Sequence, residues 1–421
     1  MLSRIVGLRV QVVQMPSSRP PHIVVLSSLF PSSIQPGAGL FIRERMFRVG
    51  KRLPLSVVAP SPWFPLQSLI RMFNPGFRPG APHEEIQAGF HVYFPRFPSF
   101  PSFFKQWDGM MMALGSLRLL KRMKAHGKLD IIDAHFAYPD GYAALLLGRW
   151  LGVPYTVTLR GTETRHLQTA GLAERALKAI QSAAQVFSVS ESLKNLAIQH
   201  GADPALIEVI GNGVDIDRFK PIDRKMARAA LGIALDAKVL ISVGGLVPRK
   251  GFHRVIEAMP ALRITYPDIK FLIVGGPSPE GNNLPQLQHQ VNELGLRNCV
   301  FFLGPIKPDR LSELLSAADV FVLATSNEGW ANVFLEAMAC GLPVVTTDVG
   351  GNREVVSDES LGIITPLGDH NALIGAIRHA LATQWDYRRI RSYAENNAWD
   401  DRIERLCACF ASISSAREKK A

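Results

Sequence analysis

Short apolar runs closed by glycine, proline or serine alternate with longer amphipathic segments along nearly the whole chain. In the first half the runs fall at residues 22–27, 55–59, 91–94, 131–134, 155–159, 185–189 and 207–210. Most are short and mainly apolar, which is how strands buried on both faces of a parallel sheet read. Helical periodicity occupies the intervals 40–51, 107–126, 138–151, 172–183 and 191–200. Strand and helix in strict alternation predict a doubly wound parallel sheet. The pattern breaks at residues 212–221, where Asn212-Gly213 and Pro221 mark a turn and a linker. It then resumes, with strand-like runs at 239–243, 270–274, 299–303, 320–324 and 344–346 and an amphipathic helix near 401–414. The α/β reading is therefore two Rossmann-like units, 21–218 and 219–395, with their carboxyl-edge loops facing across a cleft. Residues 396–421 are expected as a helix returning to the first unit, and residues 1–20 as a disordered leader.

One stretch escapes this scheme. Residues 60–107 are rich in proline and aromatic side chains, among them Trp63, Phe73, Phe100, Phe103, Phe104 and Trp107. From Arg96 to Lys128 the chain carries 7 basic residues and a single acid, Asp108. Aromatics beside a basic helix fit docking in a bilayer interface. They fit equally an irregular insertion packed on its own domain.

Composition narrows the class. At 421 residues, 47% hydrophobic and 20% charged, the chain can fill two cores. No apolar run is long enough to span a bilayer. The four cysteines form no CxxC pair, which fits a reducing, cytoplasmic setting and gives no metal or disulfide framework. The net charge of +11 lies wholly in residues 1–220, which hold 25 Lys and Arg against 14 Asp and Glu. A basic half-molecule is drawn to anionic membranes or to nucleic acid. No nucleic-acid recognition motif is present, so nucleic acid is not expected as a partner.

The candidate chemistry centres on Glu328-Gly-Trp-Ala-Asn-Val-Phe-Leu-Glu336. The run 320–324 before it reads as a strand, so Glu328 lies on the loop leaving that strand and Glu336 within the following helix. A helix start aims free N–H groups and a positive dipole end at a bound anion. Two carboxylates beside an anion site suit a ligand with phosphates and many hydroxyls, such as a nucleotide-sugar. Lys250, between a strand and a helix start, can neutralise a departing diphosphate. Val243-Gly244-Gly245 and Val274-Gly275-Gly276 do not complete GxGxxG with a ribose acid, which argues against a dinucleotide oxidoreductase.

The span from Phe321 to Val356 resembles family 4 glycosyltransferases, which have the GT-B fold. The resemblance rests on Glu328 and Glu336 with seven residues between them, then Ala337, Ala339, Gly341, Pro343, Val344 and Val345, and on Gly350, Gly351 and Glu354. Asn212-Gly213-Val214-Asp215, Val189-Ser190, Asp133-Ala-His135 and Thr158-Leu-Arg160-Gly161-Thr162-Glu163 extend it toward the N-terminus. It implies that Glu336 binds the nucleotide ribose, and that Glu328 with the amides of Gly329, Trp330, Ala331 and Asn332 grips the donor sugar. Gly37 and Gly39 would lie near the donor phosphates. Lys250 would face the diphosphate, with Arg249 beside it as a candidate for the cation the family usually places where this chain has Gly245. Arg160 and Glu163 stand where relatives carry histidine and aspartate; Arg160 and His135 are expected among the catalytic residues with Glu328 and Lys250, and Asp140 and Glu163 on the acceptor side.

The resemblance further implies retaining, metal-independent transfer with no cofactor, from a UDP- or GDP-sugar to a glycan, expected to be lipid-linked, at the cytoplasmic face of a membrane. Asp215-Ile-Asp217 has a metal-like spacing but sits in the linker and reads as turn chemistry. The alternatives are a non-catalytic or regulatory nucleotide-sugar binder and a sugar-nucleotide 2-epimerase of the same fold, which would lack the Glu328–Glu336 spacing.

Overall fold

A computed structural model describes residues 19–73, 77, 80, 82–100, 103–278 and 280–418. The expected leader, apart from Arg19 and Pro20, lies outside these residues, as do parts of the 60–107 stretch. The first domain contains β1 (Ile23–Leu26), β2 (Leu55–Val58), β3 (Ser61–Trp63), β4 (Glu84–Gln87), β5 (Phe90–Tyr93), β6 (Arg96–Pro98), β7 (Ile131–His135), β8 (Tyr155–Leu159), β9 (Gln185–Ser188) and β10 (Ile207–Val209). Eight of them form one sheet in the order β10-β9-β8-β7-β1-β2-β5-β4, with β3 and β6 paired separately. The second contains β11 (Val239–Val243), β12 (Lys270–Val274), β13 (Val300–Gly304), β14 (Val320–Leu323), β15 (Val344–Thr347) and β16 (Gly362–Thr365), in the order β13-β12-β11-β14-β15-β16.

Every pairing in the second sheet is parallel, and in the first only β4 runs antiparallel. Both sheets reverse winding direction at an interior pair: β1 lies between β2 and β7, and β11 between β12 and β14. Loops leaving such a pair diverge at the carboxyl edge and open a crevice there. Loops with candidate residues occupy these two positions, after β1 and β7 and after β11 and β14; the loop with Arg160 and Glu163 follows β8, next to β7.

The 60–107 stretch is more regular than an insertion without secondary structure. A hairpin of β4 and β5, turning at Ala88 and Gly89 with positive φ, extends the main sheet. Edge strand β4 is Glu-Glu-Ile-Gln, polar because one side faces solvent, and such a strand leaves no apolar signature. Phe97 on β6 is buried against helix Asp108–Ala125, where a Cβ at Gly115 would lie 2.6 Å from the Arg96 carbonyl oxygen.

The terminal helix, Trp399–Glu418, packs on the first domain. Trp399, Ile403, Leu406 and Phe410 recur at helical spacing and are buried with Ile23, Val25 and Phe187. Phe410 meets Phe187 edge-on at 5.8 Å between ring centres.

Candidate active site

The second domain supplies a cationic and an anionic wall. Gly251 adopts φ +73°, and a Cβ there would sit 1.8 Å from the Ala324 carbonyl oxygen, so only glycine lets the turn Pro248–Lys250 lie on the end of β14. That approach brings Lys250 Nζ to 2.6 Å from Glu328 Oε1, while Arg249 Nη1 reaches the same oxygen at 3.2 Å and Thr325 Oγ1 donates to it at 3.2 Å. Arg249 is otherwise engaged: its Nε and Nη2 form a fork on Glu280 at 2.9 and 2.8 Å, and Nη1 donates to the Asn327 carbonyl at 2.8 Å. This geometry makes Arg249 a tie between loops, while the Lys250 ammonium donates to Glu328. At Gly245 a Cβ would lie 3.0 Å from Ser278 Cβ, so a longer side chain there would have to displace Ser278.

Helix Asn332–Ala339 begins directly after this loop and has no side-chain cap. Its first N–H groups have no intrahelical partner and form an anion-binding end. Glu336 stands one turn further along. Burial lifts its carboxyl to about 7, against Arg218, which lowers it, and with Glu44, which raises it. Both neighbours come from outside the motif, and neither Glu44 nor Arg218 was legible as part of the site from the sequence.

The first domain supplies the opposite wall. Gly39, with φ +64°, heads helix Leu40–Gly50, and its missing side chain leaves room for the Leu29 carbonyl, 2.3 Å from where a Cβ would be. Gly37 has nothing within 4 Å of such a position, so sterics do not require glycine there. Arg160 leaves β8 with its guanidinium 5.2 Å over the ring of Phe41, in the first turn of that helix. Its Nε donates to His135 Nδ1 at 3.0 Å and its Nη1 to Asn212 Oδ1 at 3.4 Å, while its Nη2 is buried without a partner among the described residues.

His135, expected to be catalytic, and Asp140 and Glu163, expected to face an acceptor, are all fully buried. His135 is fully buried beneath Arg160, with Nε2 3.2 Å from Asp133 Oδ2. Burial, and next the Arg160 charge, push its pKa down to about 4, so it is a neutral support at pH 7. Glu163 is fully buried and accepts from the N–H groups of Ala137, Arg160 and Gly161 at 3.0, 3.0 and 2.8 Å, which locks two loops together. Asp140 is fully buried and accepts from the N–H and the hydroxyl of Ser28; burial raises its carboxyl to about 7. These side chains shape the wall from behind. Residue type and order marked them, but burial is a property of the packed fold.

The walls touch. A Cβ at Gly329 would lie 2.4 Å from the Arg160 carbonyl oxygen. Asn327 Nδ2 donates to Thr164 Oγ1 at 3.2 Å, and Asn212 Nδ2 to Asn332 Oδ1 at 3.0 Å. The Glu354 carboxylate accepts from the N–H groups of Glu191 and Ser192 at 2.6 and 2.8 Å, capping helix Glu191–Gln199 across the domain boundary. The Trp330 ring packs against both cores and over Gly211, where a Cβ would lie 2.9 Å away. Its side chain therefore packs in the seam between the two cores. Asp215 accepts from the Arg218 N–H at 3.0 Å and pairs with Arg48 at 2.6 Å, which is turn and linker chemistry.

Comparison with known proteins places this arrangement. Residues 223–397 match the family profile "Glycosyl transferases group 1", and residues 70–218 match "Glycosyltransferase Family 4". TuaC of Bacillus subtilis, whose name assigns it to teichuronic acid biosynthesis as a glycosyltransferase, is 30% identical over 353 residues, covering 82% of this chain and 85% of that one. The D-inositol 3-phosphate glycosyltransferase of Corynebacterium urealyticum is 32% identical over 320 residues, 70% and 74% of the two chains. Sucrose-phosphate synthase from Thermosynechococcus elongatus superposes with a TM-score of 0.72 at 21% identity, over 95% of this chain and 99% of that one. Anabaena HepE, solved in complex with UDP, superposes with a TM-score of 0.70 at 21% identity, over 93% and 99%. Two Rossmann-like sheets, carboxyl-edge loops at both winding reversals and this similarity give one conclusion: the chain belongs to the family 4 glycosyltransferases and has the GT-B fold.

Proposed function

We propose that the protein transfers a sugar, with retention and without a metal ion, from a nucleoside-diphosphate sugar to a lipid-linked glycan in cell-surface polysaccharide synthesis. The observation that carries this reading is the meeting of Lys250 with Glu328 at 2.6 Å beside the uncapped start of the helix that holds Glu336. In this reading the diphosphate sits over the helix start, where N–H groups and Lys250 face it. The ribose diol donates two hydrogen bonds to Glu336. Sugar hydroxyls reach Glu328 and the amides of residues 329–332. Arg249 and Lys250 hold Glu328 in place for that contact.

The acceptor enters over Arg160. As the bond from the anomeric carbon to the leaving phosphate oxygen breaks, negative charge grows on the diphosphate. Lys250 and the helix dipole offset it, and one such preorganised donor is worth about 10²–10³ in kcat. The leaving oxygen takes the acceptor's proton on the face where the new bond forms, which retains configuration. Domain contacts at Gly329 and Glu354 exclude water and limit hydrolysis. The relative named for teichuronic acid biosynthesis supports a polysaccharide pathway, and the relative named for inositol phosphate supports an anionic acceptor near Arg160. The solved neighbour holding UDP supports the donor class. No helix among the described residues is long and apolar enough to cross a membrane, so contact with one is proposed to be peripheral.

A thermal-shift panel of UDP- and GDP-sugars tests the donor site. One donor should raise the Tm of the wild type and raise that of Glu336→Ala much less. Equal shifts in both proteins would remove Glu336 from the ribose, and no shift with any donor would remove the reading as a whole.

A further inference from the structure

The second domain holds a polar cavity that the transfer site does not use. It measures about 690 Å³ and opens between β16 and the loop joining helices His370–Ala382 and Tyr387–Asn396. β16 is the last strand of its sheet and pairs with β15 alone among the described residues, so its outer edge borders the cavity. Volumes of about 300–1,000 Å³ are those of small-molecule sites. None of Lys250, Glu328 or Glu336 lines this one, yet it is not remote from the cleft. Arg353, in its wall, belongs to helix Asn352–Val355, which follows directly on Gly351. A Cβ at Gly351 would lie 2.4 Å from the carbonyl oxygen of Gly329, on the loop proposed to hold the donor sugar. Ser357, also in the wall, donates to Tyr393 Oη at 3.2 Å, and that hydroxyl donates to the Glu354 carbonyl at 3.4 Å.

The partners of the lining groups decide what the cavity can hold. Both guanidiniums are engaged: Arg353 forks on Asp348, and Arg389 pairs with Asp358 at 3.4 Å. Asp386 is engaged too, accepting from the N–H groups of Arg388 and Arg389 at 3.1 and 3.0 Å as a helix cap. The Trp385 indole N–H donates to the Ala380 carbonyl at 2.8 Å, so the ring offers the cavity its carbon surface. Glu359, His379 and Gln384 make no side-chain hydrogen bond or ion pair among the described residues, and Ser360 Oγ is buried without a partner. What remains is a carboxylate, an imidazole, an amide and a hydroxyl around an indole. Such a set both accepts and donates, and it supplies no unpaired guanidinium or ammonium. A phosphate would meet Glu359 and no free arginine or lysine. Sugar hydroxyls likewise donate and accept, and the C–H face of a pyranose ring matches the face of an indole.

We propose that this cavity is a second carbohydrate site, which holds uncharged sugar residues of the glycan acceptor or product outside the reaction cleft. A ring stacks on Trp385, and its hydroxyls bond to Glu359, Gln384 and Ser360. The inference rests on the reading of a glycan acceptor: a glycan lengthened beside Gly329 has only helix Asn352–Val355, about 6 Å long, to cross before it reaches the cavity. A nucleotide-sugar is not the occupant, because its diphosphate finds no unpaired guanidinium or ammonium there.

The test is calorimetric titration of the full chain with maltohexaose and chitohexaose as neutral probes and hexagalacturonate as an acidic one, each repeated in excess UDP. At least one neutral probe should bind, equally with and without UDP, and the acidic probe should bind at least about tenfold more weakly, since Glu359 repels it. Trp385→Ala and Glu359→Ala/Gln384→Ala should each weaken the neutral probe at least about tenfold. Glu359 and Gln384 are exposed, so the double variant keeps the fold where loss of the Trp385 ring loosens it. The Tm shift given by a nucleotide-sugar should persist in the double variant; it reads the transfer site alone and so separates failure of this site from failure of the transferase reading. The proposal is overturned if neither neutral probe binds at millimolar concentration, if UDP displaces the probe, if the acidic probe binds more tightly, or if the double variant binds like wild type.

Discussion

Among single residues, Glu336 carries the clearest pH consequence. Its folded carboxyl titrates near 7 against an ordinary value of 4.5, because burial and Glu44 oppose the charge more than Arg218 supports it. A raised carboxyl is protonated in the fold while already ionised in the unfolded chain. It therefore withdraws stability as pH rises from about 4.5 to about 7. Donor binding as proposed has the opposite demand, since a ribose diol held by Glu336 needs the carboxylate. Donor affinity should thus weaken as pH falls from 8 to 6, and Glu336→Gln should flatten that dependence in calorimetric titrations. Asp140 titrates in the same range but is bonded to Ser28 in the first domain, so Asp140→Asn should leave the slope intact. A slope that survives Glu336→Gln would assign the titration elsewhere. The residue types of this site were legible because a nucleotide-sugar demands them. Their exposure was not: His135, Asp140 and Glu163 share motifs with Arg160, yet only Arg160 retains surface.

At the scale of elements, the informative contacts are between backbones. Gly329 begins the loop into helix Asn332–Ala339, and its Cα approaches the Arg160–Gly161 turn so closely that an alanine would collide with a carbonyl oxygen at 2.4 Å. Each domain can fold with alanine there, because the collision lies between them. Gly329→Ala should therefore leave the Tm within a few degrees of wild type while lowering turnover at least about tenfold, measured as transfer from the preferred donor. A large loss of Tm would mean that the glycine serves the second domain's own fold. The alternation of strands and helices was readable because a buried strand announces itself by a short, mainly apolar run. Edge strand β4 and the β3–β6 ribbon escaped, since one is polar and the other carries proline.

At the scale of the whole molecule, the domains are joined by a linker, a returning helix and a carboxylate latch. Glu354 offers both oxygens to the first N–H groups of helix Glu191–Gln199, so it pairs an anion with a positive dipole end across the boundary. Charge-assisted bonds of this kind are worth about 1.5–3 kcal/mol each. Glu354→Gln keeps one acceptor and places an amide N–H against a donor. It should increase the radius of gyration in small-angle scattering and lower kcat/KM, with far-UV dichroism unchanged. Scattering and turnover identical to wild type would show that closure is held by the glycine contacts alone.

The sequence by itself determined the two-sheet architecture, the linker and the membership in a family, because apolar periodicity, Asn-Gly and proline punctuation, and the Glu328–Glu336 spacing are local properties. Only the tertiary structure decided which charges meet. Lys250 and Glu328 are 78 positions apart, as are Arg249 and the Asn327 carbonyl, and Glu354 caps a helix 163 positions away. It also decided that His135 supports Arg160 from behind and that the lysines of helix Asp108–Ala125 lie at its opposite end from Trp107. Such pairings depend on where the chain returns after each crossover and on what is then excluded from water, and neither is set by the neighbours of a residue along the chain.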